Sequence, residues 1–391
     1  MKIMHIITRL IQGGAQQNTV ISCRAQVAAG HTVTLVFGPI HGPEGSLLEE
    51  AKLTGAKIII LPEMVRELNP LKDFKCYRAL RKLIRTEKPD IVHTHSSKAG
   101  IIGRAASWKE NTPAVIHTVH GLPFHDHQSK LIHNLYVYLE QFAAKRCHHL
   151  IAITPAMVQA FAKKKIASPE KFSVIPSGVD LSRFRLQPNW RLESRAMMKI
   201  PQSVPVIANL ARLDALKGHD DLLDIYPDLA TALGPETRLL FIGDGYNREH
   251  LENKIASLGF SDRVIITGYI PHKEIARTLS AADVKVLPSY QEGQSRTLVE
   301  ALLCKIPIIG YNVGGIPSIC IDHVTGRLVP LGDKSALAET IIETLKNPEK
   351  TRKLTDEGRK FVTKQYSSQA MTDALEHLYQ SLRNRDQFIG L

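Results

Sequence analysis

The stretch that most constrains the architecture runs from Val284 to Ala301 and reads VKVLPSYQEGQSRTLVEA. It opens with a short strand-like segment, continues through a loop that contains Gly293, and enters an amphipathic helix after Ser295. A buried strand that leads through a glycine loop into a helix is half of a βαβ unit, the building block of a parallel sheet. The stretch therefore predicts an α/β fold in which this loop lies at the carboxyl end of a strand.

The same rhythm continues outward on both sides. Short runs rich in Ile and Val alternate with helix-length amphipathic segments, which predicts parallel strands joined by crossover helices. The predicted strands of the first half lie near Ile3–Thr8, Thr32–Phe37, Ile58–Leu61, Ile91–Thr94, Ala114–Thr118 and Leu150–Ile153. Those of the second half lie near Val206–Leu210, Leu239–Ile242, Val264–Thr267, Val284–Leu287 and Pro307–Gly310. The chain is thus predicted to form two Rossmann-like, doubly wound parallel sheets.

Domain boundaries follow from the place where this pattern pauses. The stretch from Pro176 to Pro205 holds four prolines and few apolar runs, as a linker does. We predict an N-terminal domain over 1–178, a linker over 179–203, a C-terminal domain over 204–366, and a closing helix within 367–391 that packs back toward the N-terminal domain. Ligands of such sheets bind beyond the carboxyl ends of the strands, so two facing sheets predict an interdomain cleft.

The composition is that of a globular protein of 391 residues, a size at which two domains are expected. No apolar run reaches the ~18 residues that a membrane-spanning helix needs, and the N-terminus lacks a signal-peptide pattern, so we predict a cytoplasmic location. Five scattered cysteines without a CxxC pair argue against disulfides and structural zinc, and predict buried thiols.

The positive charge is concentrated in the first half of the chain. Residues 1–171 hold 23 Lys and Arg against 12 Asp and Glu, within a net charge of +12 for the whole chain. Such a half favours an acidic partner: a membrane surface, a lipid diphosphate or a nucleic acid. Aromatic residues make up only 6% of the chain and no nucleic-acid-binding motif occurs, so a nucleic-acid partner is not expected.

A basic amphipathic helix is predicted over 71–87. Its apolar side would hold Phe74, Tyr77, Leu80, Leu83 and Ile84. Two interpretations stay open. The helix could lie on the anionic inner face of the cell membrane and bring a lipid-linked acceptor to the cleft. It could equally be a crossover helix whose apolar stripe packs on the sheet.

Two cations follow the first strand of the second half. Arg212 and Lys217 lie just beyond Val206–Leu210, and a helix start follows at Gly218 and His219. Arg supplies forked donors and Lys a compact charge, so the pair is suited to a diphosphate, although two surface cations would give the same pattern.

Gly13-Gly14 follows the first strand of the first half, where a helix start would also favour a phosphate. A plain tight turn explains the two glycines as well.

Glu292 and Glu300 are the two carboxylates of the opening stretch. With Ser295 as N-cap, Glu300 lies roughly 6 Å along the helix axis from its start. Glu300 could then meet a ribose hydroxyl pair while Glu292 reaches outward to a sugar. Isolated glutamates would more often be solvated surface groups.

At this point the sequence resembles the retaining glycosyltransferases of family 4, which have the GT-B fold, and the resemblance spans nearly the whole chain. The Glu292-to-Glu300 pair with seven residues between matches the family signature. The resemblance implies that Glu292 contacts the donor sugar and Glu300 the nucleotide ribose. It also implies that Arg212 and Lys217 hold the donor diphosphate.

Further matches extend the implied site. The glycine loop is Gly13-Gly14, the histidine near the reacting sugar is His120, and Tyr269 and Ile270 lie near the base. The implied donor loop continues through Gly293, Gln294 and Ser295. The family often has Phe-Gly where this chain has Gln294-Ser295, which puts the donor sugar in doubt.

The resemblance implies a front-face substitution in which the departing diphosphate helps to deprotonate the acceptor hydroxyl. The donor is expected to be a UDP-sugar, with GDP-mannose possible, and the acceptor a polyprenyl-diphosphate-linked glycan or an exopolysaccharide precursor. A sugar-nucleotide epimerase or a phosphorylase on the same fold is the alternative enzyme class, and a nucleic-acid-binding protein the alternative outside enzymes.

Neither a cofactor nor a metal is expected. The chain has no Asp-x-Asp, so Arg212, Lys217 and helix N-termini would stabilise the leaving group. Clustered histidines could suggest a metal, but the pairs are predicted at the ends of different strands, without a companion Cys or carboxylate at ligand spacing. The clustered histidines are His93, His95, His117, His120, His125, His127, His148 and His149.

Overall fold

The computed structural model describes residues 1–40, 45–124, 128–184 and 186–389, with side chains described through Arg383. These residues form two units. The first contains residues 1–178 together with the C-terminal stretch from Ser368, and the second contains residues 179–367.

A parallel sheet organises the first unit. In chain order its strands β1 to β7 are Lys2–Ile7, Thr32–Phe37, Lys57–Ile60, Ile91–His95, Ala114–Val119, His149–Ala152 and Phe172–Val174. Across the described residues the sheet has the order β3-β2-β1-β4-β5-β6-β7, so the direction of winding reverses between β1 and β4. Every residue of β4 and β5 is buried, as expected for strands that are covered on both faces.

Crossover helices cover this sheet. In chain order α1 to α6 are Gly14–Ala28, Leu48–Lys52, Pro70–Glu87, Ser97–Lys109, Lys130–Ala144 and Pro155–Lys163. Helix α3 begins where Asn69 accepts a hydrogen bond from the Lys72 amide, and it ends at Lys88 in the left-handed region.

The apolar stripe of α3 packs on the sheet. Leu80 and Ile84 are buried in one core cluster with strand residues such as Ile6 and Val92, and Tyr77 and Leu83 pack against that cluster. Phe74, by contrast, is exposed. Most of the stripe is therefore core, as the crossover-helix interpretation predicts.

The second unit repeats the plan with a six-stranded parallel sheet in the described part of the chain. Its strands β8 to β13 are Val206–Leu210, Arg238–Ile242, Val264–Ile266, Val284–Leu287, Ile308–Tyr311 and Arg327–Val329, in the order β10-β9-β8-β11-β12-β13. Its helices α7 to α14 are Trp190–Met197, His219–Asp224, Tyr226–Leu233, Arg248–Ser257, Ile275–Leu279, Arg296–Leu303, Lys334–Lys346 and Pro348–Gln365. The prediction of two Rossmann-like parallel sheets is confirmed.

The stretch over 179–203 belongs to the second unit instead of forming a linker. It contains α7, and the Arg195 guanidinium on that helix is fully buried. Arg195 donates hydrogen bonds to the carbonyls of Pro201, Gln202 and Val204 and pairs with Asp283 at 2.8 Å. These contacts tie a proline-rich stretch to the sheet, because a buried guanidinium needs several acceptors.

The last helix, α15, covers Ser368–Ile389 and belongs to the first unit. Its apolar side chains Met371, Leu375, Tyr379 and Leu382 join Ile3, Ile91 and other strand residues in one core cluster. Burying a side chain of this size contributes about 1.5–3 kcal/mol, so the helix is a substantial part of the first unit's core.

All five cysteines are free and buried, as predicted. Over the described residues, none of the helices combines the length and the apolar character that crossing a bilayer demands.

Candidate functional site

An ion pair that is largely shielded from solvent lies beyond the carboxyl ends of two neighbouring strands of the second unit. Strands β8 and β11 pair directly, and Lys217 and Glu292 lie in the segments that follow them. Lys217 Nζ is 2.8 Å from Glu292 Oε2, and both side chains are largely shielded from solvent. The structure thus brings together two residues that were predicted separately.

The backbone around Lys217 is fixed by a glycine. Gly218 has φ +68°, and a Cβ built on it would lie 2.0 Å from the Pro288 carbonyl oxygen. The Tyr290 amide also donates to the Leu216 carbonyl at 2.9 Å. The two loops that carry Lys217 and Glu292 are therefore packed backbone to backbone.

A second glycine supports Glu292 from the other side. Gly314 has φ +54°, and a Cβ there would lie 2.1 Å from the Glu292 carbonyl oxygen. The Gly315 amide donates to the same oxygen at 3.2 Å. The Gly314–Gly315 backbone thus holds the backbone of Glu292 in place.

Arg212 reaches solvent from the same loop as Lys217. Its side chain is 68% exposed and pairs with Asp214 at 2.7 Å. Tyr246 donates a second hydrogen bond to Asp214 at 3.0 Å. Burial alone would raise the pKa of Asp214, but the hydrogen bonds that it accepts lower this pKa overall. Asp214 is therefore an anion that orients the exposed guanidinium.

Glu300 lies on α12 and is 4% exposed. His272 Nε2 is 3.4 Å from Glu300 Oε1, and Arg183 Nη1 is 3.2 Å from His272 Nδ1. Ser295 is the N-cap residue of α12, as predicted, but its side chain does not make the capping hydrogen bond. Its hydroxyl lies 3.3 Å from the Thr297 hydroxyl instead.

The remaining predicted donor residues have different environments. Gln294 and Ser295 are buried next to Glu292. Ile270 packs against the core of the second unit, whereas Tyr269 is 66% exposed. Their roles toward a base or a sugar stay predictions.

Lys285 is a site-supporting residue that the sequence reading missed. It lies in the middle of β11, is fully buried, and donates to Asn209 Oδ1 at 2.8 Å. Asn209 in turn donates to the Lys217 carbonyl at 3.2 Å. Burial lowers the pKa of Lys285 well below the usual value, although Glu292 and Glu300 act in the opposite direction. The available signal was a single lysine inside the apolar run VKVL.

In the first unit, Gly13 is the N-cap of α1, and Gly14 is the first residue of that helix. Gly13 has φ −166°, which is extended backbone open to any residue. The predicted approach of this loop to a phosphate stays a prediction.

His120 follows β5 and lines a pocket of about 300 Å³ in the first unit. Burial lowers the pKa of its imidazole to about 4. Its Nε2 is 3.0 Å from His95 Nδ1, and its Nδ1 is buried without a hydrogen-bond partner among the described residues.

The histidine pairs lie on or beside different strands, as predicted, but adjacent strands bring some of these histidines together. Because β1 and β4 are neighbours, His5, His93 and His95 lie together, with ligand-type nitrogens within 4.8 Å of one another. His5 was not considered as part of the set. His125 and His127 lie outside the described residues.

Comparisons with known proteins agree over most of the chain. Residues 191–388 match the family model described as glycosyl transferases group 1, and residues 12–183 match the model described as glycosyltransferase family 4. The UDP-Gal:alpha-D-GlcNAc-diphosphoundecaprenol alpha-1,3-galactosyltransferase of Escherichia coli is 30% identical over 303 residues, covering 77% of each chain.

Two further similarities have the same character. The capsular polysaccharide biosynthesis glycosyltransferase CapM of Staphylococcus aureus is 28% identical over 342 residues, covering 85% of this chain and 87% of CapM. The crystal structure of Anabaena Alr3699/HepE in complex with UDP and glucose superposes with a TM-score of 0.80 at 20% identity, over 97% of this chain and 100% of the other. At that identity the second likeness concerns the fold.

Proposed function

The chain belongs to the group 1 glycosyltransferases of family 4, and on that premise we propose that it transfers a sugar from a UDP-sugar to a lipid-linked acceptor in polysaccharide synthesis, with retention of configuration. The observation that carries the proposal is the Lys217–Glu292 ion pair, because it lies beyond the carboxyl ends of adjacent parallel strands. GDP-mannose is the alternative donor. The E. coli relative, by its name, uses UDP-Gal and a diphosphoundecaprenol-linked acceptor.

The two cations of this site are suited to the departing diphosphate. Negative charge grows on the leaving group as the sugar bond breaks, and positioned cations stabilise it. In the structure Glu292 neutralises Lys217. A bound diphosphate would replace Glu292 as the partner of Lys217 and release this carboxylate for the hydroxyls of the donor sugar. Exposed Arg212 would add its forked donors to a phosphate.

The nucleoside would be held by the other half of the site. Glu300 is a buried carboxylate with His272 Nε2 at 3.4 Å from its Oε1, and both would face the ribose. The Tyr269–Ile270 segment immediately precedes Pro271 and His272 in the chain, and this proximity to His272 supports a role at the same end of the site. We therefore assign the ribose hydroxyls to Glu300 and the base to Tyr269 and Ile270.

The transfer itself would use one face of the donor sugar. The bond from the anomeric carbon to the diphosphate oxygen breaks, a bond to the acceptor oxygen forms on the same face, and the acceptor proton passes to the diphosphate. Arg212 and Lys217 would supply the charge stabilisation that a metal ion supplies in other enzymes, which is the basis for proposing a metal-independent reaction.

A pocket of about 510 Å³ in the first unit is suited to an amphipathic acceptor. Its lining combines apolar side chains with three cations and one carboxylate. The apolar side chains include Leu68, Ile101, Ile102, Tyr136 and Leu139, and the charged groups are Arg9, Arg66, Lys98 and Asp73. A lipid diphosphate combines the two properties that this lining would recognise.

Exposed apolar side chains also lie on two helices that contribute residues to this pocket. On α3 they are Leu71 and Phe74, and on α5 they are Leu131, Leu135 and Tyr138. A surface of this kind beside basic residues can rest on an anionic bilayer. A peripheral position at the cytoplasmic face of the membrane is part of the proposal.

The test is donor binding and donor hydrolysis across UDP-, GDP- and ADP-sugars, with and without EDTA. We expect UDP-sugars to stabilise the wild-type chain against heat and to be hydrolysed slowly in the absence of acceptor. Lys217→Ala should lower hydrolysis by about 100-fold because the leaving group loses a preorganised cation. Glu300→Ala should weaken the binding of UDP-, GDP- and ADP-sugars alike, because all three carry the ribose that is assigned to this carboxylate.

Lys350→Ala is the matched control, since Lys350 is an exposed lysine of the same unit that pairs with Glu343 at 3.0 Å. It should behave as the wild type. Equal hydrolysis by Lys217→Ala and the wild type would contradict the assigned site, and a complete EDTA block would contradict metal independence.

A further inference from the structure

One continuous line of side chains runs through the interior of the first unit from His120 to Thr118. It joins β1, α1, β4, β5 and α15. Its six contacts are His120 Nε2 to His95 Nδ1 at 3.0 Å, His95 Nε2 to His5 Nδ1 at 2.9 Å, His5 Nε2 to Gln26 Oε1 at 2.7 Å, Gln26 Nε2 to the Tyr379 hydroxyl at 3.4 Å, the Tyr379 hydroxyl to His93 Nδ1 at 2.5 Å, and His93 Nε2 to Thr118 Oγ1 at 2.7 Å.

Every hydrogen bond of this line is donated in the same sense, from His120 toward Thr118. A neutral imidazole has one donor and one acceptor nitrogen, so each bond determines the next. Gln26 Oε1 can only accept, which places the proton of His5 on Nε2 and leaves Nδ1 as an acceptor. The same reasoning places the proton of His95 on Nε2, and then that of His120 on Nε2.

The hydrogen bonds from Gln26 to Thr118 are donated in the same sense. Gln26 Nε2 donates to the Tyr379 oxygen, which leaves the Tyr379 proton for His93 Nδ1. The 2.5 Å separation between Tyr379 and His93 is within the range of O–H donors and shorter than usual for N–H donors. Every member of the line is then satisfied, and the lone pair left over is on His120 Nδ1.

All four imidazoles are neutral at physiological pH. Burial lowers the pKa of His5 and of His120 to about 4, and it lowers the pKa of His93 and of His95 well below the usual value. Neutrality is what makes the donor and acceptor positions alternate along the line.

We propose that Gln26, His5 and His95 position His120 and fix its tautomer, so that Nδ1 accepts a hydrogen bond from a sugar hydroxyl in the adjacent pocket. Two observations support this. Within the described part of the chain Nδ1 of His120 is buried without a hydrogen-bond partner, whereas the other ring nitrogens of the line all have one. His120 also lines the 300 Å³ pocket together with the polar residues Ser96, Thr118 and Glu140.

This inference rests on the proposed function for the identity of the ligand, but not for the direction of the hydrogen bonds. A protonated Nδ1 would instead repel a hydroxyl hydrogen and favour a sugar oxygen as partner. His120 is thus assigned as an acceptor, and the three residues behind it are positioning residues that do not touch the sugar.

The direct test is nitrogen NMR on the full chain with labelled histidine, at pH 7.5, with each signal assigned by a single histidine variant. We expect His5, His95 and His120 to carry the proton on Nε2 and an unprotonated Nδ1. A proton on His120 Nδ1, which the reversed Gln26 amide would produce, would overturn the proposal. So would a stoichiometric metal ion that EDTA removes with a change in these signals, since the six ring nitrogens of His5, His93 and His95 are needed for the hydrogen bonds.

Variants of Gln26 connect the tautomer to transfer. Gln26→Met removes the acceptor of His5 and should give a mixture of His120 tautomers and a fall in kcat of about tenfold, the size of one hydrogen bond, with little change in the KM for the donor. Gln26→Glu restores an acceptor and should return the Nε2–H tautomer and most of the rate.

Ser22→Ala is the matched control, because Ser22 is buried on the same helix and its hydroxyl donates to the Asn18 carbonyl, outside the line from His120 to Thr118. It should lower stability slightly and leave kcat unchanged. Gln26→Met with an unchanged His120 tautomer, or with wild-type kcat, would refute the positioning role. If no donor supports transfer, the proposed function fails, while the NMR result still decides the direction of the line.

Discussion

Lys285 is a buried amine beneath the Lys217–Glu292 pair, and its environment has a measurable consequence. Burial disfavours the charged form and lowers its pKa well below the usual value for lysine. In the unfolded chain the same amine titrates near ~10.4. Between these two pKa values the unfolded state binds a proton that the folded state lacks, so this group makes the protein more stable as the pH rises.

Replacing Lys285 by Met should remove this dependence. From pH 7.5 to pH 9.5, the free energy of unfolding of the wild type should increase relative to that of Lys285→Met, by at most about 1.4 kcal/mol per pH unit. Donor affinity should also fall, because Asn209 loses the donor that holds it against the Lys217 carbonyl. Urea unfolding at the two pH values measures the first effect, and Lys353→Met, a change at an exposed lysine, is the control. A constant difference between wild type and Lys285→Met would show that Lys285 keeps its proton.

For single residues, the sequence predicts which side chains form the site better than it predicts the contacts that these side chains make. Lys217 and Glu292 were predicted because each follows a strand, and carboxyl ends of parallel strands converge. Their 2.8 Å contact and the role of Gly314 behind Glu292 depend on how two loops pack, which no local pattern encodes. Ser295 shows the converse: its position as N-cap was predictable, while its side chain turns to Thr297.

Among the elements, α3 and α5 carry exposed apolar side chains and also contribute residues to the 510 Å³ pocket. We expect the double variant Leu71→Ser with Phe74→Ser to reduce binding to vesicles that contain anionic lipid, because it removes apolar area while leaving the buried stripe of α3 intact. Flotation with anionic and with neutral vesicles measures this. Donor hydrolysis without acceptor should stay at the wild-type rate.

Leu53→Ser provides the matched control for that comparison. Leu53 is 81% exposed and follows α2, and it is not part of the lining of the 510 Å³ pocket. It should float as the wild type does. Equal flotation of the double variant and the wild type, or binding that does not depend on anionic lipid, would contradict the membrane role of this surface.

Strand prediction succeeded where an element buries a continuous apolar run and failed where it does not. The ranges of β2, β8 and β11 agree with the structure residue for residue. The sequence reading missed β7 and β13, which have three residues each and are partly exposed, so neither has an apolar run to detect. The stretch over 179–203 predicts a linker for a related reason, because its apolar residues are scattered along the sequence. In the structure, core residues such as Phe184 and Ile200 together with the buried Arg195 hold it in the second unit.

On the scale of the whole molecule, the two units differ in how much buried imidazole they contain. In the described part of the first unit, burial lowers the pKa of five histidines: His5, His93, His95, His117 and His120. In the second unit it lowers the pKa of His219, to about 3. A lowered pKa means that, below about pH 6.5, the unfolded chain binds a proton that the folded chain does not bind.

Acidification should therefore weaken the first unit before the second. Between pH 7.5 and pH 5.0, His5 and His120 should each cost about 2 kcal/mol of stability, since the unfolded group is protonated and the folded one is not until about pH 4. The lowered pKa values of His93, His95 and His117 act in the same direction. The carboxylates of the second unit with lowered pKa values, such as Glu343, lose their contribution only at lower pH, so this window isolates the histidines. The chain has one tryptophan in each unit, Trp108 and Trp190, so Trp190→Phe and Trp108→Phe report urea unfolding of the first and second unit separately. The urea midpoint reported by Trp108 should fall more steeply with pH than that reported by Trp190, and a parallel decline would mean that the imidazoles become protonated without unfolding the unit that buries them.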